Sequence, residues 1–121
     1  MRHEKTLIYQ KCLELMQIAQ DVIEKLPRGM AFLADQLRRS TSSVTRNFAE
    51  GFYQRSIRQK SRYFEYSIQS ARESSSSFDS AICFKAAELA TAQRGKNVSL
   101  ELVKMISKYG PTKIQCIYKE R

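Results

Sequence analysis

Apolar residues recur in alternating steps of three and four along most of the chain, the spacing of helices that bury one side. Ile8, Cys12, Leu15, Ala19, Val22 and Leu26 predict a first helix over Glu4 to Lys25, with most of its charges off that seam. Pro27 cannot continue the hydrogen-bond ladder and disfavours helix at Leu26. Arg28 and Gly29 then leave a connection so short that the next helix must return alongside the first. A second helix runs from Met30 to Gly51 on the stripe Leu33, Leu37, Thr41, Val44 and Phe48, with Gly51 as its end. Ser56 followed by Gln59 reads as a capping box opening a third helix, Ile57 to Ala92, on the stripe Phe64, Ala71, Ser75, Phe78, Ile82 and Leu89.

Four serines, Ser74 to Ser77, interrupt that stripe, but the period resumes in phase at Phe78. They therefore read as a thin section of helix that a neighbour can approach closely, with hydroxyls bonding the backbone one turn back. Gln93-Arg94-Gly95-Lys96 reads as a turn, and Asn97 as the cap of a fourth helix buried through Val98, Leu102, Met105, Ile106 and Tyr109. Gly110-Pro111 would close it. The pattern predicts an all-α fold, an antiparallel up-down-up-down four-helix bundle: residues 1–111 form one domain, and residues 112–121 a flexible basic tail.

The polar positions carry a second pattern. Opposite the apolar stripe of the second helix stand Asp35, Arg39, Ser43, Arg46 and Glu50, and Arg46 and Glu50 are spaced to pair. Such a face is either solvated, the usual case, or a contact with another subunit or a polyanion. Tyr66 and Phe84 point away from the third stripe, on the side of Arg62, Gln69 and Glu73. Large outward aromatics suggest a protein contact. Arg39, Arg46, Glu50, Tyr66 and Phe84 are thus the candidate subunit interface.

Composition narrows the class. With 121 residues, 42% of them hydrophobic, the chain suffices for one real core. Two prolines and four glycines favour long helices over a turn-rich β fold. No apolar run is long enough to cross a bilayer, and the first residues do not form a signal-peptide core, so a cytoplasmic protein is expected. The net charge of +9 is unevenly spread. Arg55, Arg58, Lys60 and Arg62 follow one another without an acid, beside Tyr53 and Tyr63. From Arg94 onward bases again dominate. Charge of this kind favours nucleic acid or another polyanion, although solubility alone is the plainer explanation. The candidate nucleic-acid contacts are Arg38, Arg55, Arg58, Lys60, Arg62, Arg94 and Lys96.

Catalysis finds little support. The single histidine, His3, lies in a terminus expected to fray, and no histidine follows it to complete a zinc-protease helix or the R-x4–6-H motif of HEPN-type ribonucleases. There is no glycine-rich phosphate loop, and no E-x-x-H pairing accompanies the scattered carboxylates. Cys12, Cys83 and Cys116 are odd in number and lack metal or disulfide spacing. Cys12 and Cys83 are expected to be buried as small apolar groups, and Cys116 to be an exposed thiol. No catalytic residue, metal or cofactor is expected.

Gln36-Leu37-Arg38-Arg39, Val44, Asn47-Phe48-Ala49-Glu50-Gly51 and then Arg55-Ser56 together resemble a family signature. It is that of the four-helix-bundle proteins encoded in intervening sequences of bacterial 23S ribosomal RNA genes, which usually read QLRR, two alanines, a β-branched residue and NIAEG. Here Ser40 and Thr41 stand for the alanines and Phe48 for the isoleucine, with the spacing intact. The resemblance covers Lys5 to Ala92. It implies a non-enzymatic homo-oligomer, since similar bundles, among them accessory proteins of diversity-generating retroelements, assemble as pentamers. The retroelement relatives bind nucleic acid and a reverse transcriptase. The alternative is a protein-interaction scaffold serving one dedicated partner, such as a reverse transcriptase.

Overall fold

Thr6 decides where the first long helix begins. Its Oγ1 accepts the amide of Tyr9 at 3.0 Å and donates to the His3 carbonyl at 2.9 Å. The computed structural model describes residues 2–109. After a 3-10 turn at His3–Lys5 come α1 (Leu7–Glu24), α2 (Ala31–Phe52), α3 (Ile57–Cys83) and α4 (Leu89–Tyr109). Among the described residues the fold is all-α. The expected tail, Gly110-Pro111 and Cys116 lie outside them.

The stripes form one core. Cys12, Leu15, Leu33, Leu37, Val44, Phe48, Phe64, Phe78, Leu102 and Ile106 are buried. Phe48 and Phe64 stack with centroids 5.3 Å apart. At the α1–α2 connection Gly29 takes a φ of 89°, a left-handed conformation that costs glycine no steric penalty. Ser56 Oγ accepts the Gln59 amide at 3.3 Å and opens α3 as its spacing predicts.

The contacts of α2 with α3, and those of α1 with α4, run in opposite chain directions. From α2 to α3, Val44 meets Ser67, Ser43 meets Ser70 and Ser40 meets Ser74. From α1 to α4, Lys11 pairs with Glu101 and Glu14 with Arg94. The serine section is continuous helix, buried at Ser74, Ser75 and Ser77, and Ser74 and Ser77 donate to carbonyls four residues back. Side chains this small let α2 and α3 approach closely.

Two boundaries differ from the expected ones by more than three residues, the end of α3 and the start of α4. α3 ends at Cys83, not Ala92. The Ala86 amide donates to the Ala81 carbonyl and the Lys85 amide to the Ile82 carbonyl, while Lys85 holds a φ of 53°. This is a Schellman stop with lysine where glycine is usual, so nothing in the residue pattern announces it. The new helix starts out of phase with the old, leaving Leu89 exposed. In consequence Gln93 to Lys96 are helical, and Asn97 is not a cap.

Gly51, read as a helix end, and Gly95, read as part of a turn, are packing positions. A Cβ on Gly51 would lie 2.6 Å from the Phe64 ring, and one on Gly95 would overlap the Phe78 ring. α2 continues one residue past Gly51 and is capped at Tyr53. Cys83, expected inside, is exposed because α3 ends there; Cys12 is buried. His3, expected to fray, packs edge-on against Tyr9 at 4.6 Å and Tyr53 at 5.2 Å.

Candidate nucleic-acid interface

The seven basic candidates fall into separate groups. Arg55 lies in the α2–α3 connection, and Arg58 and Arg62 on the first turns of α3. All three are exposed, and no ion pair among the described residues involves them.

Lys60, in the same run, is engaged. Its Nζ donates to the Phe52 carbonyl at 2.7 Å and lies 5.8 Å from the centroids of Phe52 and Phe64. The α2 C-terminus leaves carbonyls unsatisfied, and an ammonium there meets both the lone pairs and the negative end of the helix dipole. Burial lowers the Lys60 pKa by penalising the charged form.

Arg94 and Lys96 stand on the body of α4, each matched by a carboxylate. Arg94 reaches Glu14 at 3.1 Å and Lys96 reaches Asp79 at 2.9 Å. Arg38 is exposed on the α1–α2 side, at the rim of a shallow groove of about 230 Å³ lined by Met16, Ala19, Ile23 and Thr41. Lys60 adds its charge to the α2–α3 end, but its ammonium is committed to the fold. This leaves Arg55, Arg58 and Arg62 as the candidates there with exposed, unpaired head groups among the described residues. An exposed tyrosine, Tyr53, stands in the same connection.

Four of the five interface candidates share one outer side of α2 and α3. Arg39 pairs with Glu73 across the two helices at 3.3 Å, with both side chains at least half exposed. Arg46, Glu50 and Tyr66 are exposed, and no ion pair joins Arg46 to Glu50. Tyr66 meets Tyr63 edge-on at 6.3 Å. Phe84 does not join them. It caps the far end of α3, about 27 Å from Tyr66 at the helical rise, and its ring meets Phe32 of α2 edge-on at 5.9 Å.

Two features escaped sequence reasoning. One is the His3 clasp on Tyr53, for which a lone histidine gives no signal. The other is a cavity of about 460 Å³ between the end of α1 and the start of α4, with Asp21, Glu24, Glu88 and Arg94 in its lining. It depends on the unannounced α3 stop. Among the described residues no cluster of metal-ligating side chains forms, and no helix is long and apolar enough to cross a membrane. A family model described as 23S rRNA-intervening sequence protein matches residues 4–108. No curated protein matches the chain.

Proposed function

The chain belongs to the 23S rRNA-intervening sequence protein family, and from that premise we propose that it is a non-enzymatic, self-associating bundle that holds nucleic acid on its basic surface. The observation that carries the proposal is the α2–α3 end. There Arg55, Arg58 and Arg62 remain exposed and have no carboxylate partner among the described residues, while Arg94 and Lys96 each pair with a carboxylate of the fold. Guanidinium groups in that state release the counterions of a phosphate chain at little internal cost. The helices are arranged up-down-up-down and antiparallel, a topology supported by contacts that run in opposite chain directions.

Self-association uses the side of α2 and α3 that carries Arg39, Arg46, Glu50 and Tyr66. A closed ring, pentameric by likeness to related bundles, repeats the basic end around one axis and multiplies its charge. Light scattering at micromolar concentration is expected to give about five times the 14.0 kDa chain mass. A monomer alone would refute the ring. Polarisation titrations with unrelated RNA and DNA should show sequence-indifferent binding that weakens steeply as salt rises.

One observation favours a second reading, docking on a dedicated protein such as a reverse transcriptase. Phe32 and Phe84 are both about half exposed and form an aromatic pair at the end opposite the arginines. Absence of nucleic-acid binding even at low salt would select it.

A further inference from the structure

Tyr53 is exposed but not loose. It is the C-cap of α2, 56% of its surface is open, and its hydroxyl lies 2.8 Å from His3 Nδ1 and accepts the His3 amide at 3.3 Å. The rings of His3 and Phe52 stand nearly perpendicular to it, at 86° and 80°, and no described ring lies flat against it. Tyr63, the other tyrosine of the basic run, is half-buried. Lys60, donating to the Phe52 carbonyl, ties the first turns of α3 to the end of α2. Arg55 and Arg58 follow within five residues, exposed and without a carboxylate partner among the described residues.

We infer that Tyr53 is a stacking platform for an unpaired nucleobase, with Arg55 and Arg58 taking the flanking phosphates, so that single strands are bound in preference to duplex. The inference rests on the nucleic-acid reading above and names its ligand class. A base inside a duplex has both faces covered by its neighbours, so apart from the two end pairs only an unpaired base can offer one to a protein ring. A ring whose orientation is already held loses little freedom on stacking. His3 is a positioning residue here: it orients the ring without touching the base.

The test is a polarisation titration of the full chain against a labelled 20-nucleotide RNA, single-stranded and as blunt duplex, at two salt concentrations. The unmodified protein is expected to bind the single strand about tenfold more tightly than the duplex. Tyr53→Ala should lose that factor on the single strand, leaving duplex binding and the salt slope unchanged. Tyr53→Phe, which keeps the π-face but not the hydroxyl held by His3, should retain most of it. Arg58→Gln should weaken both and flatten the salt slope by about one charge. A melting curve for each variant separates lost stacking from lost fold, and Tyr53→Leu, which keeps apolar bulk without a π-face, should repeat the alanine result. Equal binding of both forms by the unmodified protein, or a Tyr53→Leu variant that keeps the preference, overturns the platform while leaving nucleic-acid binding intact. No binding of either form at low salt overturns both.

Discussion

Ser40 and Ser74 meet hydroxyl to hydroxyl at 3.0 Å between α2 and α3, both buried. Their small volume lets the two backbones approach, and Ser74 also bonds the Ser70 carbonyl at 2.9 Å. Ser74→Leu should therefore cost about 3 kcal/mol, combining overpacking with lost hydrogen bonds. Ser74→Ala should cost about 1 kcal/mol, because it strands the Ser40 hydroxyl. Replacing both serines by alanine removes the stranded group, so the double variant should be no less stable than Ser74→Ala. Denaturant unfolding of the three variants checks the order.

The Gly95 backbone lies against the fully buried Phe78 ring, with no room for a Cβ. Alanine is favoured over glycine inside a helix by about 1 kcal/mol. Overpacking against a ring that cannot move aside costs about 1–3 kcal/mol. The second effect wins over most of that range, and Gly95→Ala should be destabilising by up to about 2 kcal/mol in chemical denaturation. Pairing it with Phe78→Leu should recover part of the loss.

These two sites mark what the residue pattern discloses and what it hides. Periodicity places α1 and α2 within a few residues, and it reads the serines as helix because the stripe returns in phase at Phe78. It fails at Gly95, since a glycine under an aromatic ring and a glycine in a turn look alike in one dimension. Charge is hidden in the same way. Arg94 and Lys96 look as available as Arg55 and Arg58, but Glu14, eighty residues before Arg94, sits beside its guanidinium. Phe84 reads as a neighbour of Tyr66 on a wheel that ignores height along the helix.

Lys85 holds a left-handed conformation that costs a side-chain-bearing residue about 1 kcal/mol relative to glycine. Lys85→Gly should stabilise the chain by about that amount, visible as a raised melting temperature. Lys85→Val, β-branched at a positive φ, should lower it.

Burial pushes the Cys12 thiol up from 9.0 to about 12, against a smaller opposing contribution from its hydrogen bond with Thr45. The folded state thus favours the protonated form. The corresponding stability is fully present below the unfolded thiol's pKa of 9.0 and is lost as pH rises from there toward 12. Each unit of that window should remove about 1.4 kcal/mol. Cys12→Ala should flatten this part of the alkaline stability curve relative to the unmodified chain, and urea unfolding at pH 9, 10 and 11 measures the difference. The same burial orders thiol reactivity. At pH 8, alkylation followed by peptide mass analysis should find Cys83 modified in the native state and Cys12 only after unfolding, because the nucleophile is the thiolate and Cys12 has neither charge nor access until the core opens.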